Sequence, residues 1–195
     1  MINQKNSFYT RLASKFAVIF SCVTFATFTT AAGAIAQNAS ARIFDNKGLQ
    51  VGSAKFVQTS LGVQVSLEVQ NLNMGEHMVH IHENGKCDAP EFKTSGKHFA
   101  PNHDHKDHDQ HMHMMHNKHE ASKHKPAGDL PNIVVGGNGR GTLTAILSGL
   151  SLGTAKNSLL KQGGTSILIH AGANGKSTIP NLDYKTRIAC GVIEK

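Results

Sequence analysis

Histidines cluster in one short stretch of the chain, GEHMVHIHENGKC, residues 75–87, which holds three of them and ends on a cysteine. His80 and His82 stand two residues apart, so on a β-strand their side chains share one face while Val79 and Ile81 face the opposite side. Imidazole nitrogens are ligands that suit copper and zinc. Because a lone His-x-His pair is more often a surface or hydrogen-bonded pair, a metal site needs further ligands.

Two more histidines occur in matching contexts. His98 lies in SGKHFAP, at the expected end of a strand, and His170 closes the segment SILIH. In that segment His170 has the opposite parity to Ile167 and Ile169, so it faces away from their apolar side. These histidines complete a set of four candidate metal ligands, although spacing alone does not place them around one ion.

The elements that must position these residues are short strands. In LGVQVSLEVQ, residues 61–70, apolar and polar side chains alternate, which is the pattern of a half-buried strand. Gly, Asn and Pro separate further strand candidates, and only SLGTAKNSLLKQGG resembles a helical or irregular connection. The other candidates are ARIFD, SAKFVQT, HMVHIH, NIVV, GTLTAIL, TSILIH and RIACGVI. The sequence therefore predicts an all-β antiparallel sandwich or barrel.

The N-terminal segment has the order of an export signal. Three basic residues precede an apolar run that ends in small residues at Ala36, so we expect residues 1–36 to be a signal peptide cleaved after Ala36. No stop-transfer charge cluster follows, which disfavours a retained membrane anchor, and Phe20 disfavours a lipoprotein built on Cys22. We expect a mature domain at residues 37–195 in the periplasm, with no membrane contact after cleavage.

Cleavage also fixes the charge and the cysteine count. It removes three of the 20 basic residues and leaves 17 against 13 acidic ones, a net charge near +4. These charges form no basic stripe, so no nucleic-acid partner is expected. Cys22 leaves with the signal, and Cys87 and Cys190 remain as an even pair in an oxidising compartment, which predicts a disulfide between them.

Residues 102–125 form a His/Met-rich segment that breaks the strand pattern. It contains eight histidines, and methionine is almost its only large apolar residue, so we expect a flexible loop. The loop could be a solvated insertion or a pH-responsive surface. We favour metal capture, because imidazoles suit Cu(II) and Zn(II) while thioethers suit Cu(I).

Five blocks together resemble the ordered motifs of bacterial exported copper-zinc superoxide dismutases. They are GEHMVHIHENGKC, SGKHFAPN, AGDLPN, SILIHAG and TRIACGVIEK, and the resemblance covers most of residues 40–195. The order of the five is far more specific than any one block. The resemblance implies an eight-stranded antiparallel Greek-key β-barrel whose copper and zinc ions are held by loops on one side. It also implies a superoxide dismutase, which converts superoxide to dioxygen and hydrogen peroxide.

The resemblance assigns roles residue by residue. His98 would be the imidazolate that bridges copper and zinc and carries a proton, and Arg187 would attract superoxide with a guanidinium that stays charged. His77 would be a structural histidine, and the two cysteines match the family's disulfide. The implied copper ligands are His80, His82, His98 and His170.

The zinc half of the resemblance is incomplete. Asp129 in GDLP matches the zinc-binding aspartate, and His98 would be shared, but Pro126 occupies the place of a zinc histidine. Lys106 and Asp107 stand where another zinc histidine is expected. The neighbouring imidazoles that could replace the two are His105, His108 and His124. The sequence leaves open which of them bind zinc.

Two departures lie near the copper ligands. Asn174 replaces an aspartate that links copper and zinc ligands in the family, and LDYKTR replaces a glycine-rich run before Arg187. Loss of such outer partners costs about 10–100-fold in metal affinity or activity.

Two hypotheses follow from the matches and the departures. The first is a periplasmic Cu,Zn-type superoxide dismutase. The alternative is a non-enzymatic periplasmic protein of the same fold that binds or buffers copper or zinc. The four copper histidines, Arg187 and both cysteines favour the enzyme. A homodimer is possible, and the sequence does not decide the oligomeric state.

Overall fold

The computed structural model of the chain describes residues 37–101 and 127–195. The predicted signal peptide, residues 1–36, and the predicted His/Met-rich loop, residues 102–125, lie outside the described residues. In the two described ranges, no helix is long and apolar enough to cross a membrane.

Short β-strands make up nearly all of the regular structure. The described residues contain a single 3₁₀ turn, Lys93–Ser95, and eleven strands. The strands are β1 Asn38–Asp45, β2 Gln50–Thr59, β3 Gly62–Val69, β4 Gly75–His77, β5 Val79–His82, β6 Ile133–Val135, β7 Gly141–Leu147, β8 Ser166–His170, β9 Gly172–Ala173, β10 Lys176–Ser177 and β11 Arg187–Val192.

Seven of these strands form one antiparallel sheet in the order β5-β8-β11-β1-β2-β3-β7. The two-stranded pairs β4-β6 and β9-β10 accompany it. Strands β4 and β5 are two parts of one strand interrupted at Met78. Because β5 pairs with β8 while β4 pairs with β6, this strand connects the two sheets. Strand β6 then turns into β7, the opposite edge of the large sheet.

The predicted fold class is confirmed by this arrangement. With β4 and β5 counted as one, eight strands curl into an antiparallel barrel, and the neighbours β5-β8, β11-β1 and β3-β7 are distant in sequence, as in a Greek key. The eight are β1, β2, β3, β4/β5, β6, β7, β8 and β11. The β9-β10 hairpin lies outside this count.

The core follows the predicted alternation. Val63, Val65, Leu67 and Val69 of β3 are all buried, and their side chains pack in the main hydrophobic cluster with residues of the other strands. The segment 151–164, which the sequence left as helical or irregular, is irregular and contains turns rather than a helix.

The predicted disulfide between Cys87 and Cys190 is confirmed, with the two Cα atoms 5.7 Å apart. The bridge packs against Phe92 and Leu168 in a second, smaller apolar cluster. It ties the loop that follows β5 to strand β11 across a separation of 103 residues.

Replacing both cysteines by serine should lower the free energy of unfolding of the metal-free protein by about 4 kcal/mol, because the open chain gains conformational entropy when it unfolds. Urea denaturation of the variant and of the wild type measures the difference. Wild-type protein kept reduced should behave like the variant. An unchanged midpoint would show that the bridge does not constrain the unfolded chain.

Candidate metal centre

Strand β5 carries two of the predicted copper ligands and organises the segments that carry the others. Strand β8 pairs along one side of it and ends at His170. On the other side, the Phe99 amide donates to the Ile81 carbonyl at 2.8 Å, and the Ile81 amide donates to the Gly128 carbonyl at 2.8 Å. These backbone hydrogen bonds place His98 and Asp129, the neighbours of Phe99 and Gly128, beside β5.

The four predicted copper ligands lie together. One ligand atom from each of His80, His82, His98 and His170 lies within 4.8 Å of the others. Two nitrogens bound to one ion at about 2.1 Å can be about 4 Å apart at most, so the cluster is close to the dimensions of a ligand set. The ring centroids of His80 and His98 are 4.0 Å apart, and those of His80 and His170 are 5.0 Å apart.

Backbone carbonyls determine which ring nitrogens face the cluster. His82 Nδ1 donates to the Gly96 carbonyl at 3.0 Å, and His170 Nδ1 donates to the Lys185 carbonyl at 2.7 Å. Since a carbonyl only accepts, both rings carry their proton on Nδ1 and keep a lone pair on Nε2. His80 Nδ1 lies 3.2 Å from His170 Nε2. Three nitrogens therefore converge on one region.

Burial favours the neutral form of His82 and His170. It lowers the pKa of His82 to about 3; the hydrogen bond to the Gly96 carbonyl opposes this shift, and the nearby positive charge of Arg187 adds to it. Burial also lowers the pKa of His170. His82 Nε2 is buried and makes no hydrogen bond within the described part of the chain. A neutral imidazole lone pair of this kind fits a copper or zinc ion, which binds only the deprotonated nitrogen.

A further candidate ligand, Asp129, lies beside His98 and His80. His98 Nδ1 is 3.3 Å from Asp129 Oδ1, and His80 Nε2 is 3.9 Å from the same oxygen. Asp129 Oδ1 is buried and makes no hydrogen bond to any residue of 37–101 or 127–195. A carboxylate and an imidazole are both zinc ligands. The other predicted zinc ligands, His105, His108 and His124, and the substituted Pro126 lie outside the described residues.

Arg187 is held against the loop that precedes His98. Its guanidinium donates to the Phe92 carbonyl at 2.8 Å, to Ser95 Oγ at 3.0 Å and to the Gly96 carbonyl at 2.8 Å. Its backbone lies opposite His170 in the β8-β11 ladder. Burial lowers the pKa of Arg187 from its usual value, but a guanidinium remains charged in proteins. A fixed cation therefore borders the histidine cluster.

His77 and Asn174 lie near the site and make different hydrogen bonds. His77 is fully buried, and its two ring nitrogens lie 2.8 Å from the carbonyls of His170 and Asn73, which matches the structural role that the resemblance implied. Asn174 donates to Glu76 Oε2 at 2.7 Å. The amide that replaces the family's aspartate thus binds a carboxylate of strand β4.

Comparison with known proteins agrees with this geometry. The family described as Copper/zinc superoxide dismutase (SODC) matches residues 50–193. The chain belongs to this family. It is 36% identical over 158 residues to Superoxide dismutase [Cu-Zn] 1 of Aquifex aeolicus, covering 79% of this chain and 86% of that protein. It is 35% identical over 162 residues to Superoxide dismutase [Cu-Zn] of Deinococcus radiodurans, covering 79% and 82%.

A solved structure shares the fold of this superoxide dismutase family member. A double mutant of a SOD-like protein from Bacillus subtilis aligns with a TM-score of 0.61 at 25% identity, covering 78% of this chain and 95% of that one. The predictions of the family, of the fold and of a Cu/Zn-type oxidoreductase are confirmed. The family implies copper and zinc as cofactors. The assignment of individual ligands stays a prediction.

Two residues that contact the site were not singled out from the sequence. Ser95 contacts both Arg187 and His82, and Gly128 packs against β5. The serine stands in the SGKH block and the glycine in the GDLP block, so their motifs were visible. Their contacts depend on the path of the folded chain.

Gly128→Ala should release the Asp129 segment from β5. A Cβ there would lie 2.9 Å from the Phe99 carbonyl oxygen and 3.0 Å from the Ile81 carbonyl oxygen, and neither backbone can move alone. We expect the zinc affinity to fall about tenfold, which is the smaller of the effects seen when the surroundings of a metal ligand are changed. Zinc titration against a chelator measures it.

Gly137→Ala is the matched control, because the nearest atom to its Cβ is Met74 Sδ at 3.8 Å. It should bind zinc like the wild type. Equal zinc affinity in both variants would show that close packing at Gly128 does not position the carboxylate.

Proposed function

We propose that this protein is a periplasmic superoxide dismutase whose copper ion is bound by His80, His82, His98 and His170. The observation that carries the proposal is the convergence of four imidazoles beside a fixed guanidinium. A copper ion bound there would supply the one-electron redox chemistry that converts two superoxide ions and two protons to dioxygen and hydrogen peroxide. The protein would supply the histidines that bind the ion, the positive charge that attracts superoxide, and a group that delivers protons.

Arg187 is suited to receive the anion. A guanidinium has five N–H donors, and hydrogen bonds to the protein use three of them, which leaves two for a diatomic anion. Lys97 and Lys185 are exposed and close in sequence to the residues that form this corner. Such positive charge raises the encounter rate with an anion, and salt screens the effect.

His98 is suited to deliver a proton. Its side chain is 39% exposed, whereas that of His80 is 12% exposed, so His98 can exchange protons with water. Its Nδ1 lies 3.3 Å from Asp129 Oδ1, so its Nε2 is the nitrogen that would bind copper. Because peroxide formation consumes two protons, a histidine in contact with both solvent and site meets a need of the reaction.

Zinc would occupy the neighbouring site. Asp129 and His98 Nδ1 would supply two ligands, and the segment between residues 101 and 127 would supply the others from His105, His108 and His124. The Gly128 amide donates to the Phe99 carbonyl at 3.1 Å, so the two ends of that segment are joined beside the site. This anchoring supports the proposal because the described residues on either side of the segment lie beside Asp129.

Export to the periplasm through residues 1–36 fits the Cys87–Cys190 disulfide, because such bonds persist in oxidising compartments. The alternative of a non-enzymatic metal-buffering protein is less favoured, since the curated relatives described above are named as superoxide dismutases. A metal-buffering role also does not explain why the Arg187 guanidinium is held by three hydrogen bonds beside the histidines.

The copper- and zinc-loaded domain, residues 37–195, should accelerate superoxide decay well above a free-copper control, and the rate should fall as ionic strength rises. Arg187→Ala should reduce the rate about tenfold because the local cation is lost. Pulse radiolysis measures both. Loaded wild-type protein that is no faster than free copper would refute the enzyme.

Arg140→Ala is the control for net charge. It removes the same charge from the turn before β7, where the Arg140 amide binds the Asn138 side chain. Its rate should stay close to that of the wild type. If both variants slowed decay equally, only the overall charge of the protein would matter.

A further inference from the structure

In the proposal above, Ser95 is only one of three hydrogen-bond partners of Arg187, yet it is fully buried and contacts both Arg187 and His82. It is the last residue of the 3₁₀ turn. Its Oγ lies 2.8 Å from the Phe92 carbonyl oxygen, 3.0 Å from Arg187 Nη1 and 3.3 Å from His82 Nδ1.

The hydrogen-bonding capacity of the hydroxyl determines the direction of each contact. A serine hydroxyl donates once and accepts through two lone pairs. The Phe92 carbonyl can only accept, so the hydroxyl proton points to it, and the guanidinium can only donate. The remaining lone pair meets His82 Nδ1, which must therefore present its N–H. The 3.0 Å contact of the same nitrogen with the Gly96 carbonyl requires the same tautomer.

Ser95 also closes a ring of hydrogen bonds. The Gly96 carbonyl accepts from His82 Nδ1 at 3.0 Å and from Arg187 Nη2 at 2.8 Å. Ser95 Oγ accepts from the same two side chains. Two shared acceptors fix the imidazole and the guanidinium relative to each other, whereas one shared acceptor would allow them to pivot around it.

We infer that Ser95 is a positioning residue that holds His82 in the Nδ1–H tautomer and fixes the Arg187 guanidinium relative to it. The inference deepens the proposed function and rests on it for its link to turnover. Ser95 orients the Nε2 lone pair of one metal ligand and, through the same oxygen, the cation that would receive the substrate.

The first test uses the wild-type protein and needs no variant. Nitrogen-15 NMR of the metal-free, histidine-labelled domain should show the proton of His82 on Nδ1 and slow exchange of that proton with water. A spectrum with the proton on Nε2 would overturn the inference, whatever the activity of the loaded protein.

The second test compares Ser95→Ala with Ser95→Thr. The alanine variant should exchange the His82 Nδ1 proton faster, bind copper about tenfold more weakly, and react faster with phenylglyoxal at Arg187 relative to Arg140. Threonine keeps the hydroxyl and should restore all three towards wild-type values. An alanine variant with wild-type copper affinity and wild-type Arg187 reactivity would overturn the inference.

Ser158→Ala is the matched control. Ser158 is also fully buried, and its Oγ accepts from the Leu160 amide at 3.0 Å, away from the described histidine cluster. This variant should lose stability but keep the copper affinity and Arg187 reactivity of the wild type. Loaded wild-type protein without dismutase activity would refute the proposed function alone, because exchange, affinity and reactivity are measured without turnover.

Discussion

The site depends on one constraint: the barrel must hold polar atoms that are buried without a hydrogen bond. His82 Nε2 and Asp129 Oδ1 are both buried and make no hydrogen bond to the described residues, although the Asp129 oxygen lies 3.3 Å from His98 Nδ1. Such groups cost free energy unless something satisfies them, and the surrounding barrel must hold them in place. Ladder bonds along β5, to β8 on one side and to the Phe99 and Gly128 segments on the other, provide that support. A metal ion bound by these atoms would satisfy them, and this interaction would contribute to the affinity for the metal.

The loop between β5 and His98 links stability with function. The disulfide fastens this loop to β11, and β11 begins with Arg187. In return, the loop offers the Phe92 and Gly96 carbonyls and the Ser95 hydroxyl to the guanidinium. The same short segment therefore connects the covalent bridge, the cation and a histidine of the cluster. Loss of any one of these contacts should therefore disturb the other two.

Some of this could be predicted from the sequence. Alternation in β3, the even pair of cysteines and the parity of His80, His82 and His170 are local signals, and the structure follows them. The shared acceptors at Ser95 and Gly96 could not be predicted, because they exist only where a turn meets β11. Likewise, the sequence shows that Asn174 replaces an aspartate, but its bond to Glu76 depends on how β4 meets the β9-β10 hairpin.

Anomalous diffraction at the copper absorption edge, from crystals of the copper-loaded domain, tests the central claim most directly. One strong peak should lie about 2.1 Å from a single nitrogen of each of His80, His82, His98 and His170, the usual distance between imidazole and metal. A peak held by other residues, with these four rings left without metal, would contradict the account.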